Sequence, residues 1–258
     1  MIVDDPHLHL RLAETEVDVL SAQRLRYRVF VQELGGDGPL VDHARRLERD
    51  RFDPFFDHLV LVDDRRDPAT LDHVIGVYRV MRDDQARAGE GFYSALEYDL
   101  APLEHTGRRL LELGRSCVHP DYRGGSAMLH LWKGLADYVA GHGIDILFGA
   151  ASFPGTDTAA LAQPLSYLHH HHLAPPALRV EARGESCARM DLLPPEAIDR
   201  MAAMKQTPAL IKAYLRLGGY VGEGAWVDCA FRTTDVCLVM DTARMNQRQR
   251  GLYARGGA

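Results

Sequence analysis

The 258-residue chain holds four cysteines, Cys117, Cys187, Cys229 and Cys237, and no two of them form a CxxC pair. That spacing argues against a zinc ribbon or a disulfide framework and fits a reducing compartment. Long apolar runs are also missing. Stretches such as residues 146–151 fall far short of the ~20 residues that cross a bilayer as a helix. The opening segment MIVDDPHLHLRLAE has neither the basic nor the apolar region of a secretory signal. The expectation is a cytoplasmic protein, soluble or at most in peripheral contact with a membrane. There is no excess of positive charge: 30 Lys and Arg face 36 Asp and Glu, a net charge of −6. No global attraction to nucleic acid or anionic lipid follows from that balance, so any basic site must be local. Internal repeats and low-complexity linkers are lacking, and Ser152 has no GxSxG elbow around it, which leaves a serine-hydrolase reading unsupported.

What is present is an ordinary globular composition, 46% hydrophobic, enough for a sizeable core. A short strand is expected at 8–12 and a helix over 16–33, ended by the breaker run GGDGP. HLVLVDD (58–64) and HVIGVYRVM (73–81) read as an antiparallel hairpin. LLELGRSCV (110–118) is a further strand. It is followed by the turn HPDYRGG, a helix stopped by Gly141 and Gly143, and a buried strand from 144, together a βαβ unit. Further on, the patterning predicts a helix over 156–172, a strand at 188–192, a helix from Pro195, and a final strand pair in GAWVDCAF and DVCLVMD. The reading is one α/β domain over 1–243 with a C-terminal elaboration, and a polar tail over 244–258.

Charges in apolar strands are the outliers. Glu112 and Arg115 sit among Leu111, Leu113, Cys117 and Val118, with Gly114 between them. In a regular strand residues three apart face opposite ways, so cooperation would require a bulge, and a strand glycine often marks one. A buried structural ion pair is the alternative. Arg79, inside GVYRVM, demands a carboxylate partner, with Glu112 and Asp53 available. Asp50 and Asp53 enclose Phe52 in a loop. As isolated features they read as solvated charges, although they could hold a cationic substrate. The turn HPDYRGGSA places Arg123 and a run of backbone N–H groups before a helix, a suitable seat for phosphate. In HHHH (169–172) only His169 and His172 share a helix face, and no third ligand is suitably spaced, so no metal is expected. Cys117 reads as a buried strand thiol.

LRYRVF, DRFD, ELGRSCVHPDYRGG, LFGAASFPGTD, LSYLHHHHLAP, LIKAYLRLGGYVGEGAWVD and FRTTDV together resemble the GNAT acyltransferase superfamily. Within it they are most similar to the ornithine-acyl carrier protein N-acyltransferases that begin ornithine lipid synthesis, some of them labelled hemolysin-like. The same framework is similar to the acyl-homoserine-lactone synthases. The resemblance implies a GNAT-like mixed, splayed central sheet flanked by helices. It implies transfer of a 3-hydroxyacyl group from acyl carrier protein to the α-amine of L-ornithine. The donor is the phosphopantetheine thioester, or acyl-CoA, and no cofactor is permanently bound. Glu112, Arg115 and Arg79 take catalytic roles in this scheme, and Arg26, Phe30, Asp50 and Asp53 organise the amino acid. Val118, Arg123, Gly124, Gly125 and Ser126 receive the phosphopantetheine arm. Here Arg123 is followed directly by two glycines, where CoA-using members space them, which suits a carrier-protein donor. A docking rim for that acidic carrier is expected at Arg108, Arg109, Arg123 and Lys133. The alternatives are a homoserine-lactone synthase-like enzyme, a generic acyl-CoA N-acyltransferase, and a non-enzymatic membrane-active protein.

Overall fold

The computed structural model describes residues 5–245, so nearly all of the expected polar tail lies outside the described residues. In chain order the elements are β1 (Leu8–Leu12), α1 (Glu16–Arg26), β2 (Asp57–Asp63), β3 (Val74–Arg82), α2 (Asp83–Ala88), β4 (Tyr98–Asp99), α3 (Ala101–Glu104) and β5 (Leu110–Val118). They continue as α4 (Ala127–His142), β6 (Ile146–Pro154), α5 (Ala162–His172), β7 (Glu181–Ala182), β8 (Cys187–Ala188), α6 (Arg200–Gln206), α7 (Ala209–Arg216), β9 (Tyr220–Val221), β10 (Ala225–Asp228) and β11 (Thr233–Asp241). The chain divides into two compact units. Among the described residues, one holds 5–90 and 113–143, and the other holds 91–112 and 144–245.

In the first unit β1, β2 and β3 form an antiparallel sheet, with β5 next to β3. Helices cover both faces, which is why β2 and β3 read as nearly continuous apolar runs. Val60, Val62, Val74, Val77 and Cys117 pack on Ala22, Leu25 and Val29 from α1 and its continuation. On the opposite face Leu131 of α4 lies against Gly76, and Leu10 and Leu59 crowd Gly134. Each such fully buried Val or Leu contributes about 1.5–3 kcal/mol. α1 is capped by Thr15, whose hydroxyl accepts from the Asp18 amide while the Asp18 carboxylate accepts from the Thr15 amide. The expected helix over 16–33 is α-helical only to Arg26 and continues through Tyr27–Glu33 as π-helix. α4 stops where the glycines suggested, with Gly143 in the left-handed region (φ 62°).

In the second unit β5 pairs parallel with β6 over Leu110–Glu112 against Ile146–Phe148. The βαβ unit is thus present, and the fold is a mixed α/β sheet flanked by helices. All nine residues of β6 pair antiparallel with β11, which continues to β10 and then β8. These strands are the C-terminal elaboration. Three boundaries differ from expectation. Residues 156–161 form turns and α5 begins at Ala162; the strand expected at 188–192 is only the two-residue β8, as the chain leaves it at Arg189 and bends at Met190; and the helix expected from Pro195 begins at Arg200, after a 3₁₀ turn at Pro195–Ala197.

Candidate active site

Arg79 lies two residues beyond Val77 on β3, and Val77 packs on the face covered by α1, so alternation turns Arg79 toward that helix. There it joins Arg26, at the last turn of α1, and the loop leading into β2. Arg79 Nη1 donates to Asp53 Oδ1 at 2.6 Å and to both Asp50 oxygens at 2.8 and 2.7 Å. Its guanidinium also stacks 4.0 Å from the centre of the Phe56 ring. Arg26 Nη1 donates to Asp53 Oδ1 at 2.7 Å, and Arg26 Nε donates to Glu48. Gln23 Nε2 completes Asp53 at Oδ2, 3.0 Å away. Arg115 closes the set, with Nε 3.2 Å from Glu48 Oε1 and Nη2 3.6 Å from Asp50 Oδ2. Among these residues three arginines face three carboxylates, so the group is balanced internally. Charges in such a setting are tolerable only when paired and hydrogen-bonded.

The carboxyl groups respond accordingly. Burial opposes ionisation of Asp53, yet the charges of Arg26 and Arg79 overcome it and hold the acid well below the usual range. Glu48 is held low in the same way, burial being outweighed by Arg26 and Arg115. Asp50 is also lowered, by Arg79 and Arg115 against its burial. Exposure differs across the cluster. The side chains of Arg26, Glu48, Asp53 and Arg79 are 0–5% exposed, whereas Arg115 and Asp50 are 16% and 17%. A ligand can therefore meet this network at the Arg115–Asp50 corner without dismantling it.

The glycine in β5 is not the unusual residue. Arg115, one position later, has φ 49°, a left-handed conformation that costs a non-glycine residue about 1–3 kcal/mol and persists where surroundings dictate it. Its ion pairs with Glu48 and Asp50 are such surroundings. A Cβ on Gly114 would stand 4.0 Å from Arg79, an ordinary contact.

Glu112 is 1% exposed and occupies the last pair of the parallel register, opposite Phe148. Within the second unit its Oε1 accepts from the Ser94 amide at 2.5 Å and its Oε2 from the Tyr93 amide at 2.8 Å. A hydrogen bond on each oxygen suits the carboxylate form. The turn it fixes, Tyr93–Leu96, follows Phe92, whose ring meets Phe148 edge-on with centroids 5.0 Å apart.

Other expected residues have more modest surroundings. Phe30 is partly buried against the α1-face core. Val118 is buried, and its carbonyl oxygen accepts from Arg123 Nε at 3.1 Å. Arg123 holds Glu33 bidentately at 2.6 and 2.7 Å on the surface. Gly124 takes φ 79°, Gly125 follows, and Ser126 precedes α4. Arg108 is engaged with both oxygens of Asp241. Burial pushes the Cys117 thiol up to about 12, which makes it a poor nucleophile. Among the described residues no three His, Cys, Asp or Glu side chains stand together to hold a metal ion. Two members of the network, Glu48 and Gln23, carried no signal in the sequence.

A model of the acetyltransferase (GNAT) domain matches residues 25–133, a stretch that spans the whole ion cluster as well as Glu112 and Arg123. The L-ornithine N(alpha)-acyltransferase of Rhodobacter capsulatus is 60% identical over 246 residues, covering 95% of this chain and 94% of that protein. The chain belongs to the L-ornithine N(alpha)-acyltransferase family. A second relative of that name, from Brucella abortus, is 42% identical over 248 residues, covering 95% of this chain and 88% of its own. Among solved structures, FeeM, an N-acyl amino acid synthase from uncultured soil microbes, superposes with a TM-score of 0.54 at 12% identity, covering 97% and 98% of the two chains. That likeness is one of fold. Family membership makes the chain an acyltransferase enzyme.

Proposed function

We propose that the chain transfers a 3-hydroxyacyl group from acyl carrier protein to the α-amine of L-ornithine, the first step of ornithine lipid synthesis, in the cytoplasm or at a membrane surface. The observation that carries this reading is the 60% identity, across nearly the full length of both chains, with an L-ornithine N(alpha)-acyltransferase. In the reaction the amine nitrogen bonds to the thioester carbonyl carbon, the C–S bond breaks, and the amine proton passes by way of a base to the departing thiolate. Glu112 is that base, directly or through one water; such a base contributes about 10²- to 10⁴-fold. Arg115 receives the α-carboxylate of ornithine at the exposed corner of the cluster, as planar guanidinium donors suit a carboxylate. Arg79, Arg26, Asp50 and Asp53 hold that corner in place, and Phe30 supports α1 beneath it. The amides after Arg115 polarise the thioester oxygen. Val118, Arg123, Gly124, Gly125 and Ser126 take the phosphopantetheine phosphate, Arg123 exchanging Glu33 for it.

The test is to incubate the protein with L-ornithine and either 3-hydroxyacyl carrier protein or 3-hydroxyacyl-CoA and follow free thiol. Carrier-dependent thiol release with an Nα-acylated product is expected, falling at least about 10²-fold in Glu112→Gln. A folded Glu112→Gln enzyme with near-wild-type turnover would remove Glu112 from the base role. Absence of thiol release with either donor would remove the reaction.

A further inference from the structure

The end of β1, the middle of α1 and the start of β2 enclose a cleft of about 300 Å³ within the first unit. Leu12, Val19 and Phe56 supply apolar wall. The polar lining is Gln23, Asp53, Asp57 and His58, without lysine or arginine among the described residues. His58 is 4% exposed. Its Nε2 stands 3.2 Å from the main-chain carbonyl oxygen of Asp53, a group that only accepts, so Nε2 carries the ring proton. Burial pushes the imidazole down to about 4, assisted by Arg26 and Arg79 and opposed by Asp53, so the ring is neutral at physiological pH. Nδ1 is then a bare lone pair, buried and without a hydrogen-bond partner among the described residues. A buried acceptor in that state is costly unless a donor reaches it.

The rest of the lining narrows the chemistry. Gln23 Nε2 spends one of its two N–H bonds on Asp53. Asp53 already faces Arg26 and Arg79, and Asp57 Oδ2 takes Arg82 and the Tyr138 hydroxyl. What the wall offers is therefore mainly acceptors. A primary ammonium on a short methylene stem matches it: several N–H donors for the lone pair and carboxylate edges, and methylenes for the apolar side.

We infer that this cleft seats the side-chain ammonium of the amino-acid substrate, with His58 Nδ1 accepting one of its N–H bonds. The assignment rests on the reading that the substrate is ornithine. It gives that reading a cause for Nα selectivity, because a δ-nitrogen held as ammonium has no lone pair with which to attack a thioester.

The experiment compares L-ornithine with L-norvaline, the same carbon skeleton without the δ-amine. With ¹⁵N-histidine-labelled protein, ornithine moves the His58 Nδ1 resonance in the direction of hydrogen-bond acceptance, and norvaline leaves it in place. His58→Leu removes the Nδ1 lone pair; it also gives up the Nε2–H to the Asp53 carbonyl, a loss that ornithine and norvaline report alike. It raises KM for ornithine about 10- to 100-fold, the range for losing a hydrogen bond to a charged group, while kcat/KM for norvaline stays within about twofold. The inference is overturned if wild-type protein acylates ornithine and the Nδ1 resonance does not respond. It is equally overturned if His58→Leu lowers kcat/KM for both amino acids alike. A response of Nδ1 to ornithine without acyl transfer would uphold the cleft and remove the proposed reaction instead.

Discussion

Glu48 bridges Arg26 and Arg115 from a fully buried position, so Glu48→Gln tests directly how the ion cluster is held. The substitution is nearly isosteric. It leaves one carbonyl oxygen for the two arginine donors and turns an N–H₂ toward a guanidinium, donor against donor. The cluster changes from three arginines and three carboxylates to three and two. Removing one partner of a buried ion pair costs about 3–5 kcal/mol. Arg115, at 16% side-chain exposure and with Asp50 still at 3.6 Å, recovers part of that, so the lower end is expected, about 3 kcal/mol. Glu33→Gln, which breaks the exposed pair with Arg123, is the control and should cost less than about 1 kcal/mol.

Trp132 lies on α4 in the first unit and Trp226 on β10 in the second. In a Trp226→Phe background, fluorescence therefore reports the unit that contains the cluster. A loss of about 3 kcal/mol lowers the midpoint by roughly 6–12 °C for a chain of this size. The pH dependence supplies the sign. Because the Glu48 carboxyl is held below its ordinary range, burial notwithstanding, by Arg26 and Arg115, its contribution is fully present above the unfolded value of about 4.3 and is lost as the pH falls through the folded value. The gap between wild type and Glu48→Gln should be flat from pH 6 to 8 and should narrow in acid. A gap under about 1 kcal/mol at pH 7, or one unchanged in acid, would show that Glu48 does not hold the cluster by its charge.

Arg115→Lys keeps the charge and loses the planar fork; KM for the amino acid should rise at least about tenfold while KM for the acyl donor stays unchanged in steady-state assays. Gly222→Ala places a Cβ 2.8 Å from the Val180 carbonyl oxygen, and denaturation followed by Trp226 should show a loss of about 1–3 kcal/mol from overpacking. Cys187 and Cys229 are exposed while Cys117 and Cys237 are buried. A thiol reagent at pH 8 should therefore titrate two sulfhydryls in the native protein and all four after unfolding.

Much of the framework was legible because burial on both faces of a sheet leaves a plain trace. The apolar runs of β2 and β3, and the glycine stop of α4, are direct consequences of helices covering both sides and of a left-handed cap. The π-helical turn at Tyr27–Glu33 was not legible, since an i to i+5 hydrogen-bond pattern selects no residue type that distinguishes it from α-helix. The late start of α5 was hidden by the alanines and leucine of residues 159–162, which favour helix locally although Thr158 and Ala159 close turns there instead. Strands of two residues such as β8 and β9 are too short to show a period.

The site divides in the same way. Arg79 and Glu112 stood out because each interrupts an apolar strand, and a charge there must be answered. Asp53 was named as a carboxylate available to Arg79, but Glu48 gave no sign and Asp50 read as a solvated charge, because RRLERDRFD looks like a charged surface loop until the arginines of α1 and β3 are placed beside it. Identity of residue type says nothing about which loop charges are taken out of water; that is decided by where the arginines fall on their elements. The same logic moved the strained position in β5 by one residue. A glycine is the sequence sign for a left-handed strand residue, yet here the ion pairs of Arg115 with Glu48 and Asp50 accompany the conformation, and the glycine beside it remains ordinary. The residue that bears the strain is thus also the most exposed arginine of the three. An Arg115 fixed in a costly conformation by two carboxylates is oriented before a ligand arrives, and preorganisation of that kind is what lets a guanidinium select a carboxylate without first ordering its own side chain.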